Sequence, residues 1–284
     1  MQIKQIGVIG SGTMGSGIAQ LLVQSDFATI MYDINEDILE KAKNSIFKRL
    51  DRLKEKERLT PDQWSKSKAN LTLSSQIKDL QDCDLIIEVV PEKLELKKNI
   101  FKEVERICQQ DAILATNTSS LSVTEIASSL NHSESVVGMH FFNPAPLMPL
   151  IEIIKGIKTA PEVIDQVMNF AKQLHKSPVL CEDTPGFIVN RVARPFYNEA
   201  IRIMKDQIAS PEQIDTIMKK AGNFKMGPFE LQDMIGIDVN FSSTKSVYQG
   251  FFGESRFRPN SYQERMVQAG ILGRKTNKGF YDYE

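Results

Sequence analysis

Between residues 6 and 33 the chain reads as an apolar run, three glycines, a second apolar run, a third, and an acid. The first run is Ile6 to Ile9, the glycines are Gly10, Gly12 and Gly15, the second run spans Met14 to Val23, and the third spans Ala28 to Tyr32 and ends on Asp33. Short apolar runs bounded by glycine suit buried strands, and the longer run between them suits a helix. A strand, a glycine turn, a helix and a second strand in this order are predicted to form a dinucleotide-binding unit. Gly10 permits the tight turn, Gly12 leaves room for a pyrophosphate to meet the backbone, and Gly15 lets helix and strand pack closely. Ser11, Thr13 and Met14 complete the turn, whose free N–H groups and positive dipole end would face the phosphates. Asp33 lies 18 residues beyond Gly15. It is expected to accept hydrogen bonds from the ribose 2′- and 3′-hydroxyls, where a 2′-phosphate would meet like charge. Ile34, Asn35 and Glu36 bring no cation to offset that repulsion, so NAD is favoured over NADP.

A chain of 284 residues has room for more than one domain. A net charge of −1 gives no reason to expect a nucleic-acid partner. No apolar run approaches the length of a membrane span, and the first strand begins almost at Met1, so neither a membrane anchor nor a targeting peptide is expected. Cys83, Cys108 and Cys181 are few and widely spaced, which fits a reduced, cytoplasmic protein and argues against a disulfide framework or a metal site.

Strand-like runs recur at Leu85–Val90, Ala112–Ala115, Val136–Met139 and Leu150–Ile154, with helical patterns at Leu94–Cys108, Val123–Leu130 and Glu162–Leu174. Such alternation predicts an α/β, doubly wound Rossmann-type sheet over residues 1–183. A helical hairpin is expected to interrupt it at about residues 36–70. There Leu39, Ala42, Ile46, Leu50 and Leu53 mark one amphipathic helix, while Thr60 and Pro61 open another. Residues 41–58 carry eight Lys/Arg against three Asp/Glu. That stretch reads either as a solvated face or as a landing site for a polyanionic substrate tail, with Lys56 a candidate contact. After the breaker cluster Asp183-Thr-Pro-Gly-Phe the pattern turns helical. Phe187, Val192, Phe196, Ala200 and Ile203 form an apolar stripe, and Ser210-Pro-Glu-Gln forms a capping box. Residues 184–284 are therefore expected to form an all-α domain. Its apolar residues Phe196, Ile203, Phe229, Met234 and Ile235 suggest a homodimer interface.

Oxidising an alcohol with a nicotinamide cofactor needs a base for the hydroxyl proton, and imidazole titrates in the useful range. Of the three histidines, His132 follows a helix and is expected at the surface, and His175 lies at a helix C-terminus, where a cation is favourable. His140 ends an apolar strand, and strand C-terminal ends are where doubly wound sheets bind ligands. It reads either as a catalytic base or as a satisfied core histidine. Glu152 sits within the apolar run Leu150–Ile154, and a buried carboxylate is costly unless paired. A turn through Asn143–Pro149 could return the chain and bring Glu152 beside His140; the other reading is an edge-strand glutamate facing solvent.

Six motifs carry a resemblance over essentially the whole chain. They are Gly-Ser-Gly-Thr-Met-Gly at 10–15, Asn-Thr-Ser-Ser at 117–120, Gly-Met-His-Phe-Phe-Asn-Pro at 138–144, Asp-Thr-Pro-Gly-Phe-Ile-Val-Asn-Arg at 183–191, Met-Gly-Pro-Phe-Glu-Leu at 226–231 and Gly-Arg-Lys-Thr at 273–276. The chain resembles the L-3-hydroxyacyl-CoA dehydrogenase family, and within it the short single-function 3-hydroxybutyryl-CoA dehydrogenases of bacteria. The resemblance implies an NAD-dependent enzyme with His140 as base, Glu152 as its partner, and Ser119 and Asn190 on the substrate oxygen at C3. It also implies NAD contacts at Glu92, Lys97, Ser119, Asn143 and Lys275, a CoA contact at Lys56, and a homodimer. Arg49 departs from the family by replacing a serine that contacts CoA in some members. Two other readings predict different behaviour. A sugar-acid dehydrogenase of the same superfamily would not need a basic CoA site, and a non-catalytic NAD sensor would need neither His140 nor Glu152.

Overall fold

A computed structural model describes residues 3–284, which divide into two compact units, residues 3–184 and 185–284. The first unit is built on one sheet of eight strands. In chain order they are β1 (Gln5–Ile9), β2 (Ala28–Tyr32), β3 (Leu71–Ser74), β4 (Leu85–Glu88), β5 (Ile113–Thr116), β6 (Val136–Phe141), β7 (Leu150–Lys155) and β8 (Ser177–Glu182). Their order in the sheet is β3-β2-β1-β4-β5-β6-β7-β8, and only the β6–β7 pair is antiparallel. The order reverses between β1 and β4, which opens a crevice beyond their C-terminal ends. Strands β4, β5 and β6 are buried along their whole length, as expected for strands covered on both faces.

Helix α1 (Thr13–Gln24) packs against β1 and β2 and also against the hairpin of α2 (Glu36–Glu55) and α3 (Pro61–Ala69). The capping signals act as predicted. Asn35 caps α2, and Thr60 and Gln63 close a capping box on α3 with Pro61 in its first turn. Leu39, Ala42, Ile46 and Leu50 are the buried stripe of α2. The hairpin is tied by Trp64, whose indole donates to Asp51 at 2.7 Å while Lys54 and Lys68 lie over its ring at 3.9 and 4.2 Å. Helices α4 (Leu94–Ile107), α5 (Val123–Ala127) and α6 (Pro161–Gln173) complete the layers. Strands β3 and β8 were not foreseen. Both lie at sheet edges, where half-exposed residues interrupt the apolar runs that mark inner strands.

The second unit is helical: α7 (Val189–Lys205), α8 (Pro211–Lys220), α9 (Pro228–Ile235), α10 (Ile237–Gly250) and α11 (Ser261–Gln268). The capping box at Ser210 forms as predicted. The expected stripe holds at Phe187 and Ala200, both buried, and fails at Val192, which is 68% exposed; the buried face of α7 also runs through Arg194, Tyr197 and Ile201. Phe229 is fully buried in this unit's core with Ala200, Ile201 and Ile214, so it cannot serve an interface. Two buried carboxylates stitch the unit together. Asp215 accepts from the backbone N–H groups of Phe229 and Glu230 and from the Tyr281 hydroxyl. Asp233 accepts from the N–H groups of Phe280 and Tyr281 and from the Tyr283 hydroxyl. Among the described residues no helix is long and apolar enough to cross a membrane.

Candidate active site

The glycine turn has the shape its residues call for. Gly10 lies at φ +104°, and its N–H bonds to the Tyr32 carbonyl. A Cβ on Gly15 would sit 1.8 Å from the Gly10 carbonyl oxygen, so the helix can approach the strand only at glycine. A Cβ on Gly12 would meet nothing within 4 Å, which leaves open space at the N-terminus of α1. Asp33 follows β2, and its Oδ2 accepts from the Ser11 N–H at 2.9 Å and the Ser11 hydroxyl at 2.8 Å. The carboxylate is thereby fixed against the turn whose open side suits a pyrophosphate. These residues fit a bound dinucleotide.

On the other side of the crevice the ends of β4, β5 and β6 are tied together. Thr116 on β5 pairs with Gly138 on β6, so His140 stands two residues further on, level with the loop 117–120. The Asn117 side chain accepts from the Phe141 N–H at 2.8 Å and locks that loop to β6. The chain then turns through residues 142–149, and β7 returns antiparallel with Glu152 directly opposite His140. The Nδ1 of His140 and the Oε2 of Glu152 are 2.7 Å apart, with the residues 6% and 1% exposed. The strand that looked too apolar for a glutamate is the strand that delivers it. The Phe142 ring lies 4.5 Å from the imidazole, centroid to centroid.

A second buried pair lies at the end of β4. The Lys97 ammonium donates to Glu88 Oε1 at 2.7 Å and Oε2 at 3.0 Å, and Thr116 donates to Oε2 at 2.7 Å. Lys97 also lies 3.4 Å from Glu92. The Glu92 Oε1 accepts from the Thr118 hydroxyl, the N–H groups of Ser119 and Ser120, and the Ser120 hydroxyl. Burial pushes the Glu92 carboxyl up, but Lys97 and these donors outweigh it and hold the group below its ordinary value. Glu92 thus fixes the backbone that carries Ser119. Lys97, expected as a cofactor contact, is 1% exposed and reaches this loop through Glu92.

Other predicted positions stand apart. Asn143 is exposed beside β6, and Lys56 is exposed at the end of α2. Arg49, half-buried, donates to the Ser16 carbonyl of α1 at 3.4 Å. Asn190 and Lys275 belong to the second unit. Arg194 holds Asn190, donating from Nε to its carbonyl at 3.2 Å and approaching its carboxamide oxygen at 3.4 Å. Lys275 is paired with Asp238 at 2.6 Å. His132 and His175 are surface residues, His132 as expected. The sequence reading missed Glu88, Thr116, Asn117 and Arg194. Glu88 carried a signal like that of Glu152, a carboxylate in an apolar strand, here as the last residue of β4.

The chain matches the family model described as 3-hydroxyacyl-CoA dehydrogenase, NAD binding domain, over residues 5–184. It matches the model for the C-terminal domain of the same enzymes over residues 186–283. It is 42% identical over 283 residues to 3-hydroxyadipyl-CoA dehydrogenase of Escherichia coli strain K12, covering 100% of this chain and 60% of that protein's length. It is 40% identical over 279 residues to a probable 3-hydroxybutyryl-CoA dehydrogenase of Deinococcus radiodurans, covering 98% of this chain and 100% of the relative. The crystal structure of (S)-3-hydroxybutyryl-CoA dehydrogenase from Ralstonia eutropha superposes with a TM-score of 0.96 at 38% identity, covering 100% of both chains. Matches over the full length of both units show that the chain belongs to the 3-hydroxyacyl-CoA dehydrogenase family of NAD-dependent oxidoreductases.

Proposed function

We propose that this chain catalyses the reversible NAD-dependent oxidation of (S)-3-hydroxyacyl-CoA to 3-oxoacyl-CoA, with 3-hydroxybutyryl-CoA as substrate and His140 as the base. The observation that carries this reading is the 2.7 Å contact between His140 and Glu152 at the end of β6. A carboxylate only accepts hydrogen bonds, so Nδ1 bears the ring proton and the lone pair lies on Nε2. Nε2 takes the hydroxyl proton as hydride leaves C3, and Glu152 stabilises the imidazolium that results. When bound, NAD supplies the hydride acceptor. Gly10, Ser11, Gly12, Thr13, Met14, Gly15 and Asp33 hold its adenosine and pyrophosphate half. Asn143, Glu92, Ser119 and Lys275 serve the nicotinamide half. Ser119 and Asn190 hold the C3 oxygen, each kept in place by a neighbour, Glu92 and Arg194 respectively. Lys56, in the basic 41–58 segment, meets the phosphates of the CoA tail. The relatives named for 3-hydroxybutyryl-CoA support the substrate choice.

The second unit also supplies the surface for a homodimer, with Met234, Ile235 and Val239 each at least 40% exposed. Light scattering should give twice the monomer mass at micromolar concentration, and a stable monomer would refute the dimer. Three free, widely spaced cysteines support a cytoplasmic location.

The test of function is NADH oxidation with acetoacetyl-CoA, compared with a free sugar keto-acid. Turnover of the CoA ester alone is expected. Lys56→Glu should raise KM for the CoA ester and leave NADH binding unchanged. Turnover of the keto-acid alone would favour the sugar-acid reading, and NADH binding without turnover would favour a sensor.

A further inference from the structure

Helix α6 ends in a Schellman motif. Leu174 is the C-cap, His175 takes φ +55°, the N–H of His175 bonds to the Lys172 carbonyl, and that of Lys176 bonds to the Ala171 carbonyl. The chain reversal aims Lys176 at the loop between His140 and Glu152. Its ammonium donates to three main-chain carbonyls of that loop: Ala145 at 2.8 Å, Pro146 at 3.2 Å and Met148 at 2.8 Å. The next residue adds a fourth tie, the Ser177 N–H to the Pro149 carbonyl at 2.7 Å. Lys176 is 9% exposed, and burial lowers its pKa. An ammonium has three donors, and all three are used on the loop. A buried charge satisfied only by carbonyl dipoles is costly to build, and the gain is a fixed loop.

We propose that Lys176 is the positioning residue of the 142–149 loop, holding Phe142 and Asn143 in register with His140. The proposal rests on the NAD-dehydrogenase reading of the site. The glycine turn and Asp33 lie on the β1–β2 side of the crevice, whereas Phe142 and Asn143 follow β6 on the far side; Ala145 and Pro146, further along the loop, come close to α1 at Gly17, in its second turn. A defect that shifts Phe142 and Asn143 therefore weakens the nicotinamide half of the cofactor more than the adenosine half. A lysine that merely stabilised the fold would affect both halves alike.

The experiment compares the affinities of the full chain for NADH and for ADP-ribose, which lacks the nicotinamide. In Lys176→Met, NADH should weaken about tenfold, while ADP-ribose stays within about twofold, because the glycine turn and Asp33 are held by their own bonds, Gly10 to Tyr32 and Ser11 to Asp33. In Lys176→Ala, added propylammonium should restore NADH affinity, whereas tetramethylammonium, with no N–H donor, should not. Lys176→Gln keeps two N–H donors and no charge, and serves where the other variants do not fold; it should show the same selective loss to a smaller degree. Equal weakening of both ligands, unchanged NADH affinity, or equal rescue by tetramethylammonium would overturn the proposal. Acyl-CoA turnover plays no part in these readings. A chain that binds NADH and reduces no acyl-CoA would overturn the proposed function and leave the Lys176 test intact.

Discussion

Two buried carboxylate–base pairs stand among the central strands, and they differ in the base, an imidazole in one and an ammonium in the other. Glu152 meets His140 at 2.7 Å, and Glu88 meets Lys97 at 2.7 Å; both carboxylates are at most 1% exposed. A neutral imidazole carries both an N–H donor and a lone pair, whereas an ammonium carries donors only. The first pair can therefore handle a proton, and the second can only hold a shape. Their settings agree with that division. His140 lies one residue before the C-terminal end of β6, while Lys97 is enclosed by Glu88, Glu92 and the Val90 carbonyl. In this fold the nature of the base sets the role of each pair.

Breaking each pair should give a different kind of defect. Glu152→Gln removes the charge that stabilises the imidazolium and upsets the tautomer. It should lower kcat by roughly 10²–10⁴ and leave NADH affinity within about twofold, as read by steady-state kinetics and fluorescence titration. An equal loss of stability and rate would instead make Glu152 a structural residue. Lys97→Met should strand a buried carboxylate and cost about 3–5 kcal/mol in urea unfolding. Adding Glu88→Leu should recover much of that loss, and a double variant no more stable than the single would contradict a buried ion pair.

Smaller effects sharpen the contrast. Gly15→Ala sets a methyl group against the Gly10 carbonyl and should cost about 1–3 kcal/mol while weakening NAD. Glu92→Gln tests the loop that carries Ser119. Because the folded carboxyl is held below its ordinary value, its contribution to stability is present above about pH 4.3 and is lost as pH falls through the lowered folded value. The gap in Tm between wild type and Glu92→Gln should therefore narrow on acidification from pH 7. A gap that widened would reverse the sign of the Lys97–Glu92 interaction.

Sequence pattern served best where one residue type had one physical use. The glycine turn, the β6–β7 return and the capping residues Thr60 and Ser210 were all legible, because glycine, an acid in an apolar strand, and a hydroxyl before a helical proline each suit few local structures. Pattern failed where burial depended on a neighbour far along the chain. Arg194 lies on the buried face of α7 because Asn240 and Thr244 satisfy it, so an apolar stripe could not reveal that face. Lys97 and Lys176 look like solvated helix-surface and loop lysines until Glu88 and the 145–148 carbonyls are brought to them. Edge strands β3 and β8 lack the unbroken apolar runs of the inner sheet.

The most direct test of the central claim is single-turnover oxidation of NADH by acetoacetyl-CoA at saturation, comparing the native chain with His140→Gln. The account predicts a rate lower by at least about 10²-fold with the dissociation constant of NADH unchanged. A rate within a few-fold of the native chain would contradict it and remove His140 from the chemistry.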